Sequence, residues 1–413
     1  MSQMAIRVTP QDFAPPPVIA RWRSRTVMVG AVFAVVAAAL GFQYGWDLFL
    51  RAWLLGFLFW LGLTTGSLAL LMLQYVTGGN WGRLGRRFWE AAASNLWLMF
   101  LLWLPIAFGM KHLYLWAGMS PDQAARELGP DKVKFYMNPA LFWIRGIIYF
   151  FGWGFLYWRL SIWSKKEEAG ETTPAQFVGI QNLSGFGIVF YAATITFASI
   201  DWAMSLDPKW WSTVWGMLFM VGQVLSTFCF TIVLLVKLSR VEPISRMFKV
   251  DYLHDFGKLM FAFVVLWAYL SFSQWLIIWS GNMLSEIRWY LIRLYGGWQW
   301  FGTALILVHF VFPFALLLSR NLKRDAPRVM WIALLLMFMR LVDLFWLTAP
   351  NFYKGYEGAG LKNFHGPDAA MYIVCPIAIG GIWLFFFLNR LEKRSLMPVN
   401  DPHFVEMLEA KHG

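Results

Sequence analysis

The sequence predicts an all-α integral membrane protein. Ten transmembrane helices are expected, as two parallel-repeat four-helix bundles with peripheral helices 1 and 10 added. Three observations predict it. Hydrophobic residues make up 59% of the 413 positions and charged residues only 14%, where soluble domains carry roughly 45–50% and about 25%. The apolar residues fall in ten long unbroken runs, not in the alternating pattern of barrel strands. An aspartate seven residues before a proline recurs at two run ends, as Asp201 with Pro208 and Asp343 with Pro350.

Residues 1–26 form an arm with Ala14-Pro15-Pro16-Pro17 and with Arg7, Arg21, Arg23 and Arg25. It lacks a small-residue cleavage site after a short apolar core, so it reads as an uncleaved arm rather than a signal peptide. The first run, 27–45, is the peripheral helix of a unit 27–49. Runs 50–75, 89–110, 139–163 and 178–202 make a first bundle over 50–210. Runs 211–237, 256–280, 297–319 and 329–349 make a second over 211–350. The last run, 369–389, lies in a unit 351–390 and leads into a tail, 391–413. Each is long enough to cross about 30 Å of hydrocarbon, where only helices or a closed barrel satisfy the backbone.

The two Asp–Pro ends close the fifth and ninth runs, four helices apart. A four-helix offset preserves orientation, so the repeat is parallel rather than inverted. Gly62 and Gly66 form a G-x-x-x-G, and Gly152/Gly154, Gly185/Gly187 and Gly380/Gly381 add small-residue pairs. These are packing positions, and tryptophans at run ends are interfacial anchors.

The net charge is +12. Arg83, Arg86 and Arg87, then Lys165 and Lys166, then Arg240, Arg246 and Lys249, then Arg320, Lys323, Arg324 and Arg328, and finally Arg390, Lys393 and Arg394 all fall in connections on the arm's side. That excess places both termini in the cytoplasm and makes lipid, not nucleic acid, the partner of the basic charge.

The redox-metal classes are poorly served. The two cysteines are Cys229 and Cys375, whereas iron–sulfur clusters are usually held by four ligands. Of six histidines (His112, His254, His309, His365, His403 and His412), only His309 sits mid-run, so no intramembrane pair is present for a buried haem. No metal site is expected on this chain.

Ionisable residues at membrane depth are functional hypotheses. Glu90 and the group His254, Asp255 and Lys258 stand near the cytoplasmic side. His309, Arg340 and Asp343 stand near mid-membrane. Arg145, Asp201 and Asp207 stand toward the far side. A discontinuous relay of Glu90, His254, Asp255, Lys258, His309, Arg340 and Asp343 is a candidate proton pathway, with Asp201 as the equivalent acid of the first bundle. Plain roles compete with each: Arg340 and Asp343 are three apart and share a helix face, and Glu90 follows Trp89 close to the headgroups.

Two stretches carry a family resemblance. One is Ser199-Ile200-Asp201-Trp202-Ala203-Met204-Ser205-Leu206-Asp207-Pro208-Lys209-Trp210-Trp211-Ser212-Thr213. The other is Ser273-Gln274-Trp275-Leu276-Ile277-Ile278-Trp279-Ser280-Gly281-Asn282, followed by Glu286-Ile287-Arg288-Trp289-Tyr290. Both resemble the polysulfide-reductase NrfD-like membrane subunits of alternative complex III, over about residues 20–395, and the length resembles the ActF type more than the longer ActC type. The resemblance implies a bacterial inner-membrane quinol:cytochrome c or oxidase-coupled oxidoreductase. Its expected partners are a second, ActC-like NrfD subunit, an iron–sulfur subunit, and multihaem and mono-haem cytochrome c subunits. Haem c and iron–sulfur clusters would sit on those partners and none on this chain, with quinol as an allowed ligand.

The family places quinol oxidation at the far end of the first bundle, using His and Asp. Here the matching helices offer Asp201, Arg145 and Asp207 as quinone-binding candidates, but no histidine. The leading expectation is therefore a scaffolding, proton-conducting subunit without a redox centre. A direct quinone-binding subunit and a stand-alone ion-coupled transporter remain as alternatives.

Overall fold

The structure, a computed structural model, describes residues 9–354, 360–401 and 404, with the backbone alone at Asn80. His403, His412 and residues 402, 403 and 405–413 of the expected tail lie outside them, as do residues 1–8 of the expected arm. Among the described residues the chain is all-helical. Helices of more than ten residues are numbered here: α1 Val18–Tyr44, α2 Trp46–Thr77, α3 Asn80–Ala93, α4 Leu96–Phe108, α5 Pro139–Glu168 and α6 Pro174–Trp202. They continue as α7 Trp215–Leu238, α8 Val250–Gly281, α9 Leu284–Leu294, α10 Trp298–Leu318, α11 Ala326–Thr348 and α12 Gly366–Leu391.

Nine helices among the described residues are long and apolar enough to cross a membrane, and α3 with α4, bent by 42°, make up to ten. The chain is a multi-pass membrane protein. Its spans run alternately between two ends. The basic end gathers residues 77–90, 164–174, 238–250, 318–326 and 391–401; the opposite end gathers the longer connections.

Three helix boundaries differ from the sequence reading for physical reasons. α1 begins at Val18, not at 27, so Arg21, Arg23 and Arg25 lie on the helix. Arginine is a good helix former, and Arg23 is held by Glu392 at 2.5 Å. The third run is two helices that break at Ser94 and Asn95. Asn95 is buried there, its amide donating to the Trp383 carbonyl at 3.0 Å. Arg83, Arg86 and Arg87, read as loop charges, therefore lie on a buried helix. The connection 281–296, left between two runs in the sequence reading, contains α9.

α2 and α7 form the centre, and nearly all of the apolar stretch of α2 is buried. The G-x-x-x-G brings them together: a β-carbon on Gly66 would meet Thr227 Oγ1 at 2.5 Å and the Gln223 carbonyl at 2.7 Å. The last span is not an edge helix, contrary to expectation. Trp383 Nε1 donates to Thr64 Oγ1 at 2.7 Å, and Trp60 Nε1 donates to the Pro376 carbonyl at 2.8 Å, tying α12 to α2. α1 is the exposed span and rests on α12, where a β-carbon on Gly30 would meet Ile382 N at 2.7 Å.

At the basic end, arm and tail close on each other. Leu396 N donates to the Phe13 carbonyl at 2.9 Å, and the Phe13 and Phe404 rings meet edge to face, 5.6 Å apart.

Candidate functional site

Polar and ionisable side chains gather at three depths. At the basic end the i, i+3, i+4, i+7 spacing of Arg83, Arg86, Arg87 and Glu90 puts them on one face of α3. Arg87 donates to Glu90 Oε2 at 2.8 Å and to Ser164 Oγ at 2.6 Å, and Ser164 Oγ donates to Glu90 Oε1 at 2.8 Å. Arg394 reaches Glu90 Oε2 at 3.0 Å and Glu168 at 2.5 Å. Arg86 is fully buried, pairs with Glu167, Glu90 and Asp401, and lies over the Tyr75 ring. Arg83 also meets Asp401, at 3.1 Å. Four guanidiniums thus face four carboxylates. Burial pulls the Arg394 guanidinium down, but Glu90 and Glu168 outweigh it and hold the guanidinium above its ordinary value. Beside Glu90 and Arg394 lies a cavity of about 10 Å³, room for about one water.

In the middle of the second half, Arg340 and Asp343 are buried and bonded to each other. The space for the guanidinium comes from Gly222 on α7, where a β-carbon would fall inside it. Trp267 Nε1 on α8 donates to Asp343 Oδ2 at 3.3 Å. The Trp267 ring lies 4.2 Å, centroid to centroid, from the His309 imidazole, which is fully buried. Neither imidazole nitrogen meets hydrogen-bond geometry with a partner among the described residues.

His309 sits in a π-helical stretch of α10, Leu305–Val311, in which Phe312 N donates to the Leu307 carbonyl. The cause is in the sequence. Pro313 has no N–H to return to the carbonyl of His309 four residues earlier, and π turns of this kind recur at functional sites. Next to Gly222, Gln223 Oε1 accepts from Tyr191 OH at 2.7 Å and Thr65 Oγ1 at 3.0 Å. Polar groups of α2, α6, α7, α8, α10 and α11 therefore occupy neighbouring positions at mid-depth.

At the opposite end, Asp201 is almost fully buried near the end of α6. Arg145 of α5 holds it with two nitrogens, at 2.9 and 2.7 Å, and Tyr149 OH donates to it at 2.7 Å. The Arg145 guanidinium lies 4.0 Å from the centroid of the Tyr136 ring. Burial, reinforced by the Asp201 charge, raises the Tyr136 phenol above its ordinary value. In the second half the end of α11 is met by another arginine. Arg293 of α9, fully buried against the Trp289 ring, donates to the Trp346 and Leu347 carbonyls at 3.0 and 2.8 Å. A cation suits carbonyls at a helix C-terminus. Burial lowers the guanidinium to about 9, against the pull of Asp207 and Tyr290.

The sequence-named residues separate into these sets. Asp201 and Arg145 meet; Asp207 stands apart and accepts from Lys209 N at 3.2 Å. His309, Arg340 and Asp343 are joined through Trp267. Asp255 and Lys258 form a surface pair at 3.2 Å, with His254 on the same helical turn. No hydrogen bond or ion pair among the described residues joins His254, Asp255 or Lys258 to Glu90. Between them stand the rings of Trp81, Trp89 and Phe256, with Trp89 Nε1 donating to Thr231 Oγ1 at 2.9 Å. A single line through all seven residues is therefore not formed by direct contacts. Arg86 and Arg394 were read only as connection charges, and Glu167, Asp401, Gly222, Trp267 and Arg293 were passed over. The helical spacing 83, 86, 87, 90 and the proline four residues after His309 were the available signals.

Compared with family models and with curated proteins, the chain matches none.

Proposed function

We propose that this chain is a cofactor-free integral membrane subunit of a quinol-oxidising complex, an NrfD-like subunit of the ActF type in alternative complex III. Its termini face the cytoplasm of a bacterium, and electrons pass through haem c and iron–sulfur clusters on partner subunits to a cytochrome c or an oxidase. Its own work is to scaffold the complex and to conduct protons. The observation that supports this most is the buried His309 imidazole. It lies against the indole that donates to Asp343 and next to the Met339 backbone of α11. An intramembrane ionisable residue marks a proton or ion route by default.

His309 and Asp343 are the residues assigned to proton movement. Arg340 holds the Asp343 carboxylate in place, and the Glu90 cluster with its water-sized cavity is the entry at the basic end. The test is purification of the native assembly in mild detergent. Co-purifying c-type cytochromes and an iron–sulfur subunit are expected; a chain that purifies alone points to the ion-coupled transporter instead.

A direct quinol site at the opposite end is the second reading. It is favoured by the Arg145–Asp201–Tyr149 cluster, which gathers an acid, a cation and a phenol at the end of a span. Quinone density or photolabelling beside Asp201 would select it.

A further inference from the structure

Between α1 and α11, floored by α2 and α12, runs an open groove of about 310 Å³. Val29 and Leu384 wall it toward the basic end, and Phe59, Trp60 and Ile377 line it deeper in. It exists because α1 touches α12 so closely. Gly30 and Gly381 meet backbone to backbone, and that contact holds α1 on α12 while leaving a gap toward Leu341 of α11. Trp60 forms a rigid floor, since its indole is committed to the Pro376 carbonyl and its ring fills the space over Gly380.

The lining is apolar apart from two residues at the basic end. Thr26 is satisfied by donating to the Arg23 carbonyl at 2.9 Å, so Arg25 is the one charge on the groove. Arg21 lies one helical turn away, on the same face. Their neighbour Arg23 is taken by Glu392 and Asn389. Among the described residues neither Arg21 nor Arg25 has a carboxylate within ion-pairing distance, and both are exposed. An apolar channel along a span, with cations at one mouth at the level of the membrane surface, matches one amphiphile. It needs a chain for the channel and an anionic head for the arginines.

We propose that this groove is a binding site for an anionic phospholipid, its acyl chain against Trp60 and Ile377 and its phosphate at Arg25 and Arg21. The site is independent of the proton-handling reading. Basic pockets between spans hold anionic headgroups in this way. A neutral isoprenoid quinone would fit the channel but make no use of the arginines.

The experiment uses the purified protein, delipidated and then incubated with micelles containing dioleoylphosphatidylglycerol or dioleoylphosphatidylcholine, with bound lipid read by native mass spectrometry. The wild type is expected to retain one phosphatidylglycerol per chain, in preference to phosphatidylcholine by about fivefold or more. Arg25→Gln should bring the two lipids close to parity. Ile377→Trp and Val29→Trp change exposed positions, so the fold should survive, and both should abolish retention. Equal retention of the two lipids by the wild type, a neutral quinone as the retained molecule, or binding untouched by both tryptophan variants would overturn the proposal.

Discussion

The Arg340 guanidinium occupies the space that a β-carbon on Gly222 would fill. α7 and α11 can carry a buried ion pair at their contact only because one of them lacks a side chain there.

Gly222→Ala should therefore force the helices apart or eject Arg340 from Asp343. The cost expected is about 1–3 kcal/mol, that of overpacking a core, read as a lowered melting temperature in detergent. An unshifted melt would mean that the guanidinium has another place to go.

His309→Phe separates structure from function. The ring contact with Trp267 survives, so the cost in stability should stay below about 1.5 kcal/mol, as for a core swap of similar volume. Proton translocation by the reconstituted complex should fall at the same time. A stable variant with full translocation would remove His309 from the route.

Asp343→Asn keeps an acceptor for Trp267 but loses the charge opposite Arg340. Quinol oxidation by the complex should change little while the proton-to-electron ratio drops. Intact stoichiometry sinks the proton role of Asp343.

At the basic end, Arg86→Gln leaves Glu167 buried without its guanidinium and takes one guanidinium from Asp401, which keeps Arg83. Breaking a buried ion pair costs about 3–5 kcal/mol, so this variant should give the largest loss of thermal stability of the set. Replacement of the exposed Lys258 by Gln, which breaks only a surface pair with Asp255, should stay within about 1 kcal/mol.

Asp201→Asn should cost about 1.5–3 kcal/mol, the range for hydrogen bonds to a charged group, because Arg145 and Tyr149 keep only an amide oxygen. Under the proton-conducting reading quinol oxidation persists. Its selective loss, with the fold intact, would move the quinol site to this chain.

The spans were legible because hydropathy alone dictates them. Where charge entered a helix, hydropathy misled. Arg83, Arg86 and Arg87 looked like a connection because each lowers the local average, although their spacing with Glu90 is that of a helix face. Arg145 and Asp201 were both picked out, but nothing in a single sequence pairs residues 56 positions apart. Trp267 gave no signal at all. It is one of 26 tryptophans, and its role depends on which helix stands next to α10. The π stretch at His309 was written in Pro313, a local cause that a run-by-run reading passes over.

The network around Arg86 also has an order in time. During synthesis, Arg83, Arg86 and Arg87 emerge long before Glu167, Glu168 and Asp401, their later counter-charges. A nascent hairpin of α2 and α3 thus presents three positive charges against the single carboxylate of Glu90, an excess that, under the proposed topology, would retain that end on the cytoplasmic side during insertion. Only when α5 and the segment after α12 have been made can those charges be neutralised and drawn inside. Under the proposed topology the same arginines would serve first as a signal to the insertion machinery and later as the lock of a finished fold. Truncation before Asp401 would leave the protein correctly threaded but unlatched.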